Sequence, residues 1–496
     1  MKRLRILLLP LALVAAVWLF WPERYAFDLG MLRHVLLGGG RAALPAGEVA
    51  ARLHAPPGLT VTRFASDLPN VRMLRVTSEG DVLASQPRAG RVVLLERDEN
   101  GDGSSDGTRV LLGDLDRPHG IDARDGWLYV AEASAVRRVR FDAKARAVPG
   151  EVETIVRGLP EGGNHWTHTL GLGPDGGLYV SAGSSCNVCI EKDARRAAIL
   201  RYALDGTGEE RYATGLRNAV GFDWDPASGA LYATDNGRDY LGDDFPPCEL
   251  DRVVRGGFYG WPFANGDRRP DPDLGGAHEA EIAASIPPAH AFRAHNAPLG
   301  IAFRRTSTVP AGCRSAALVA LHGSWNRRRK DGYKVVELCF KDDGTVTERD
   351  FLTGFLDGET TLGRPAGVAE GPDGAIYVSD DYGGAVYRIA AGDRAAPREV
   401  HRDVGTKPAT PSTPADAAPG DAARGARLYA ANRCASCHEV GAAAPGVVAR
   451  PLVGLAQRYT PAALADYLRA PTPPMPTFPL SAEERADLAT FLLKER

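Results

Sequence analysis

Methionine and cysteine are scarce in this chain, and its net charge is close to zero. Of 496 residues only four are methionine and seven are cysteine, and the formal net charge is -3. So even a balance leaves no electrostatic footprint for a nucleic-acid partner. Long apolar runs are also missing, with one exception. Met1-Lys-Arg-Leu-Arg5 precedes an apolar stretch from Ile6 to Trp21. A charged n-region followed by an h-region marks a chain bound for export. The small-x-small cleavage pattern is absent, because the stretch ends in Trp18-Leu-Phe-Trp21-Pro. As helix, residues 6–21 would span about 24 Å, against roughly 30 Å of bilayer hydrocarbon. Residues 1–22 are therefore read as either a cleaved signal peptide or a retained inner-membrane anchor. Both place the bulk of the chain in the periplasm.

With so few cysteines, their spacing carries weight. Two stand in Cys434-Ala-Ser-Cys437-His438. C-x-x-C-H is the attachment signature of a c-type haem: the two thiols add to the vinyl groups, and the histidine becomes the proximal iron ligand. Met475, in Thr472-Pro-Pro-Met475-Pro, is the sole methionine after Met73 and the expected second ligand. His/Met ligation raises the iron potential and leaves no position open for substrate, which suits electron transfer. Cys186-Asn-Val-Cys189 has the same spacing, but Ile190 stands where the histidine would be. In an oxidising compartment a short-range disulfide is expected there. Cys313 and Cys339 flank neighbouring apolar segments and could bridge two strands, which leaves Cys248 as a buried thiol.

Turn formers are abundant, with 56 glycines and 36 prolines. They fall in a repeat. Asp125-Gly-Trp-Leu-Tyr-Val130 recurs at Gly173–Val180, Asp225–Tyr232 and Gly371–Val378, with weaker copies at Ser78–Leu83 and Ser315–Leu321. Each copy is an Asp/Gly turn followed by an alternating, β-rich strand. Clear neighbouring copies lie about 45 to 53 residues apart, one four-stranded blade each. The expected fold is mainly β, a six-bladed propeller over 55–392 after a lead-in at 23–54. The gap between Tyr232 and Ser315 predicts a large insertion at 236–298. Residues 393–420 read as an Ala/Pro-rich linker. Residues 421–496 read as a small all-α cytochrome c domain, with Thr460-Pro461 and the capping box Ser481-Ala-Glu-Glu484 opening helices.

Several strings within the propeller carry chemistry. They include Asn164-His165-Trp-Thr-His168, Ser184-Ser-Cys-Asn-Val-Cys189, Gly215-Leu-Arg217-Asn218, Asn236-Gly237-Arg238-Asp239, Gly257-Phe-Tyr-Gly-Trp-Pro262, His295-Asn-Ala-Pro and His322-Gly-Ser-Trp-Asn-Arg327. In this order they resemble the soluble glucose dehydrogenase and L-sorbosone dehydrogenase family, propellers that carry pyrroloquinoline quinone (PQQ) and calcium. The resemblance implies oxidation of a sugar, polyol or sugar-derived aldehyde, with electrons passing to the fused haem c and on to a respiratory acceptor. It implies that His165, nine residues before Pro174, is the catalytic base. His168 is the rival; the sorbosone branch usually has arginine there. Arg217 and Asn218 resemble the family's cofactor-contacting pair, and Arg364 an arginine near quinone and substrate. Gly237 and Arg238 match the pair whose carbonyls hold calcium. Arg327, His295 and Arg72 are further candidate contacts. The cofactor's chemistry agrees, since a tricarboxylate needs fixed guanidinium groups.

A second calcium is suggested locally. Asp98, Asn100, Asp102 and Asp106 have the oxygen-ligand spacing of half an EF-hand loop, but Arg109 occupies the twelfth position and the flanks read as strands. Two other functions fit the pattern less fully. One is a calcium-dependent lactonase-type propeller. The other is an electron-transfer protein whose propeller only docks a partner.

Overall fold

The computed structural model describes residues 40–391 and, further along, 420–432, 434–438, 452, 455, 459–469, 478 and 480–495. The expected signal or anchor, the start of the lead-in, the linker up to residue 419 and Met475 lie outside the described residues. Among the described residues no helix is long and apolar enough to cross a membrane. The chain divides into two compact units, Met1–His401 and Arg402–Arg496.

The first unit is a ring of six sheets, antiparallel except where Gly257–Phe258 adds to blade three parallel to Glu210–Thr214. Their inner strands are Leu74–Val76, Ile121–Arg124, Leu170–Leu172, Ala219–Trp224, Pro298–Phe303 and Pro365–Glu370. The second strands are Val82–Gln86, Trp127–Ala131, Gly177–Ala182, Leu231–Asp235, Ser315–Leu321 and Ile376–Asp380. All six repeats read from sequence thus fall on one structural position, the first turn and second strand of a blade. The acidic residue explains why that turn recurs. Asp175, Asp225 and Asp373 each accept a bond from the backbone N–H two residues on, at 3.0–3.1 Å. An aspartate that bonds its own turn makes the reversal local. Second strands lie between neighbouring blades on both faces. Val82–Gln86, Leu231–Asp235, Ser315–Leu321 and Ile376–Asp380 are buried at every residue.

The ring closes through its own start. Leu59–Ala65 forms the outermost strand of the last blade and pairs with Ala385–Ala391, in a register that sets Leu59 opposite Ala391. Before it, the helix Ala46–Arg52 turns Val49 inward, where it joins Leu44 and Leu53 in the core of that blade.

One boundary differs from expectation. Strands Cys248–Val253 and His290–Phe292 are the third and fourth strands of blade four and lie inside the span read as insertion. The added structure is 254–289: a hairpin of Ala264–Asn265 with Arg269–Pro270, and the helix Glu279–Ala284. The third strand was hidden because Cys-Glu-Leu-Asp-Arg-Val carries two acidic residues, and here both Glu249 and Asp251 are buried.

Both expected disulfides are present, Cys186–Cys189 and Cys313–Cys339, the latter joining blade five at Cys339. Cys248 is a buried thiol, pushed up to about 11 by burial.

In the second unit the helix Ala422–Ala431 packs on Ala482–Glu495. Gly425 permits this crossing, since a Cβ there would meet the Asp487 carbonyl oxygen at 2.2 Å. Asp421 caps the first helix. Thr460 Oγ1 accepts from Ala463 N at 3.2 Å at the start of Pro461–Tyr467. Ser481 and Glu484 exchange the two bonds of a capping box, at 2.7 and 3.2 Å.

Candidate active site

Inner strands begin, and second strands end, at the same end of the ring. The residues two places before an inner strand therefore converge there: Arg72, His119, His168, Arg217 and Asn296. Arg364 immediately precedes the sixth inner strand. Loops that follow the second strands add Ser184, Gly237, Arg238, His322 and Asp381. Close packing of the inner strands needs glycine. A Cβ on Gly221 would lie 2.1 Å from Leu299 O, and one on Gly367 would lie 2.4 Å from Arg72 O.

His165 Nδ1 lies 2.8 Å from Ser184 Oγ and 3.0 Å from Ser184 O. The Ser184 hydroxyl donates its single hydrogen to Cys186 O at 2.8 Å. Both oxygens therefore accept from His165, so Nδ1 carries the proton and Nε2 the lone pair. Burial, and then the nearby Arg217 charge, push His165 down to about 3. His168 donates from Nδ1 to Ser181 O at 2.8 Å, and its Nε2 is buried with no protein partner among the described residues. Burial lowers it as well, against the pull of the Ser181 carbonyl. His119 Nε2 is likewise buried without a partner.

Arg217 and Asn218 are fixed through their backbone. Asp235 accepts from both N–H groups, at 2.7 and 2.5 Å. The Arg217 guanidinium donates to Asn187 O and Oδ1, Asn236 O and Gly237 O at 2.8–3.0 Å, with Asp239 Oδ2 at 3.3 Å. Gly237 O, expected to face calcium, is thus held by Arg217 in this structure. The Arg238 side chain turns away to Asp271 and Asp273, at 2.7 and 2.8 Å.

Arg364 donates to His322 O and Gly323 O at 3.2 and 2.9 Å, and its N–H bonds Asp380 Oδ1 at 2.8 Å. Beside it Asp381 lies between His322 Nε2, at 2.9 Å, and Arg72 Nη1, at 2.6 Å. Burial, then Arg364, push His322 down to about 3, so it is neutral. The charge facing Asp381 is then that of Arg72 and Arg364. Burial works to raise the Asp381 carboxyl, yet these neighbours hold it well below the usual range.

His295 and Arg327 serve the loop 242–245. His295 Nε2 bonds Gly242 O and Phe245 O at 2.8 and 3.2 Å, and Arg327 pairs with Asp244 at 3.1 Å. The Asp98–Asp106 loop is at the opposite end of the ring, between strands Arg91–Leu95 and Thr108–Leu112. Its carboxylates cap their own loop: Asp98 accepts from Gly101 and Gly103 N at 2.6 and 3.0 Å, and Asp106 from Glu99 N and Asn100 Nδ2 at 3.0 Å. In the second unit, Cys434 packs against the helical core and His438 ends the short helix Ala435–His438. The Cys437 side chain lies outside the described residues.

Sequence reading missed His119, Asp381 and the role of Asn187; it named Arg72 as a candidate contact and His322 within a string, but not their meeting at Asp381. One signal could have found part of it, the fixed offset of two residues before each inner strand. Asp381 and Arg72 are 309 residues apart and share no local pattern.

The donor set suits a flat polyanion. Arg72, Arg217 and Arg364 supply fixed positive charge, and His119 and His168 offer partnerless buried nitrogens. At Gly183 a Cβ would crowd His165 at 2.6 Å and Asn218 Oδ1 at 2.8 Å, so the glycine keeps these two together.

The family described as TrAA12-like matches residues 53–246 and 276–392, leaving out much of the added structure of blade four. The family described as cytochrome C oxidase, cbb3-type, subunit III matches residues 420–492. An uncharacterized protein of Borreliella burgdorferi is 38% identical over 218 residues, 43% of this chain and 56% of that protein. The chain thus spans little more than half the length of that relative. A cytochrome c-553-like protein of Synechocystis sp. is 39% identical over 74 residues, 15% of this chain and 68% of the relative. A Trichoderma reesei enzyme of carbohydrate-active family AA12 superposes with a TM-score of 0.60 at 23% identity, over 68% of this chain and 98% of its own. The PQQ domain of Coprinopsis cinerea pyranose dehydrogenase superposes with a TM-score of 0.59 at 22% identity, over 68% and 96%. At such identity these two structures speak for the fold alone. The chain belongs to the TrAA12-like family, as a six-bladed propeller followed by a cytochrome c domain.

Proposed function

We propose that this protein oxidises a sugar, polyol or sugar-derived aldehyde at the propeller and delivers the electrons to its own haem c. The observation that carries the reading is a neutral histidine, His165, with its Nε2 lone pair free of the Ser184 contacts, beside Arg217. PQQ, when bound, supplies a two-electron acceptor, and calcium a Lewis acid at its carbonyl. Arg364 and Asn218 would hold the cofactor's carboxylates, and Arg217, whose guanidinium N–H groups are taken up by Asn187, Asn236, Gly237 and Asp239, would add fixed positive charge beside them. Gly237 and Arg238 offer backbone carbonyls to calcium. His165 Nε2 takes the hydroxyl proton of the substrate as hydride leaves its carbon. Ser184 keeps the ring in that tautomer. His438 and Met475 would ligate the iron of a haem bound through Cys434 and Cys437, and that haem would supply a one-electron acceptor. A respiratory acceptor then takes them.

The protein works in the periplasm, secured to or released from the inner membrane by residues 1–22. Two disulfides support an oxidising compartment. The Asp98–Asp106 loop holds a structural calcium. Adding Ca²⁺ to chelator-treated protein should raise Tm, and Asp98→Asn should abolish the rise; an unchanged Tm removes this calcium.

The test of function is reconstitution. PQQ and Ca²⁺ are added to the protein, sugars and alcohols are supplied, and haem absorption is followed. Haem reduction by a substrate is expected. If dithionite reduces the haem and no sugar, polyol or aldehyde does, the reading fails.

A further inference from the structure

Asn187 lies in the four-residue loop that the Cys186–Cys189 disulfide closes, with Cα atoms 6.2 Å apart. Its side chain pairs with Asp239 much as a neighbouring strand would. Oδ1 accepts from Asp239 N at 2.8 Å, and Nδ2 donates to Asp239 O at 3.1 Å. The same Oδ1 accepts from Arg217 Nη2 at 2.8 Å, and the Asn187 carbonyl accepts from Arg217 Nε at 3.0 Å and Trp261 Nε1 at 3.4 Å. Both lone pairs of the amide oxygen are therefore used, and the guanidinium is gripped on two sides. One residue ties a loop of blade three to Arg217, to the segment at Gly237–Asp239 and to the added structure of blade four. The loop also braces the base, since Ser184 Oγ donates to Cys186 O. At its far side Glu191 accepts from Ser185 N and Oγ at 2.6 and 2.8 Å.

We propose that the Cys186–Cys189 loop is a latch for the cofactor site, in which Asn187 is a positioning residue for Arg217 and for the Gly237–Asp239 carbonyls. It rests on the reading of Arg217 as a fixed positive charge for the cofactor's carboxylates. A free arginine side chain loses much rotamer freedom when it binds an anion, and a guanidinium already held in place loses less. A three-residue separation gives the disulfide little leverage on the unfolded chain. Its effect belongs to the local geometry of the loop. Both cysteines are half-buried, within reach of a small reductant.

The full chain is compared with Asn187→Ala, Asn187→Asp, the pair Cys186→Ser/Cys189→Ser, and the control pair Cys313→Ser/Cys339→Ser. PQQ with Ca²⁺ is titrated by quenching of protein fluorescence, and amide hydrogen exchange over 236–240 is followed without PQQ. Asn187→Ala and the 186/189 pair should each raise the PQQ Kd at least about tenfold and speed exchange at the Asp239 amide. Asn187→Asp keeps the bonds accepted from Arg217 and Asp239 N and should keep exchange at Asp239 slow, while its added negative charge beside Arg217 should still raise the PQQ Kd. The control pair should lower Tm and leave both readouts unchanged. Wild-type affinity and wild-type exchange in the 186/189 pair overturn the latch, as do equal shifts in the control pair. If the wild type takes up no PQQ, the proposed function falls, and exchange at Asp239 still decides the latch.

Discussion

A base that must accept a proton has to be neutral when substrate arrives, and burial makes His165 so. Because it sits at about 3, no acid limb near the usual imidazole value should arise from it. Dye-coupled kcat should therefore hold between pH 5 and 8, and an inflection at about 6.5 would mean that the base does not hold this lowered value in the working enzyme. His165→Ala should lower kcat by roughly 10²- to 10⁴-fold, with PQQ affinity little changed. Stability carries opposite signs in two sets of residues. His119, His165, His168 and His322 are all lowered, chiefly by burial. Their unfolded forms bind protons that the fold refuses, so their share of stability is lost as pH falls below about 6.5. The carboxyls of Asp235, Glu249 and Asp380 are raised by burial, to about 6, 8 and 7. The fold keeps protons on them that the unfolded chain releases, so their share is lost as pH rises through those values. Glu249 faces Asp235 and Asp251, and it accepts from Gly266 N at 2.8 Å. Glu249→Gln keeps that acceptor and removes the charge. Its Tm should gain on wild type by a few degrees between pH 5 and 9; a constant difference would mean that Glu249 does not titrate in this range.

Among the elements, the second strands and their Asp/Gly turns could be read from sequence because their cause is local: a side chain bonding its own turn, then a run with both faces buried. Blade four was only half legible. Its third strand buries acids, and burial of charge is decided by cross-strand neighbours such as Asp235, which pairs with Glu249, and not by the strand's own pattern. The site was legible in the same uneven way. His165, Arg217, Asn218 and Arg364 stand in strings with a family resemblance, and all come to one end of the ring. The Asp381–Arg72 pair and the reach of Asn187 depend on loop shape. Inner strands approach one another closely, which can be tested at Gly221. Gly221→Ala places a methyl against Leu299 O and should cost about 1–3 kcal/mol. Gly276→Ala meets nothing within 4 Å and should stay within about 0.5 kcal/mol of wild type. Denaturant titration checks both, and equal losses would contradict the packing.

For the whole molecule, the proposed function divides the labour between the two units: oxidation in the ring, single-electron carriage in the helical domain. His438→Ala should leave oxidation measured with a soluble dye within about twofold of wild type and abolish haem reduction by substrate. Loss of both activities would mean that the haem domain also shapes the catalytic site.

The seam of the ring has a mechanical consequence. Leu59 faces Ala391, so the incoming and outgoing chain are neighbours on the outermost pair of strands. A pull that separates them loads that ladder like a zipper, one hydrogen bond after another, whereas a shearing pull would load all of them together. A pull on the chain ahead of the ring would first have to draw Leu44, Val49 and Leu53 from the core of that blade, and would then peel Leu59–Ala65 before it disturbed the inner strands. The outermost strand acts as a fuse, and the catalytic end of the ring would be the last part to feel the load.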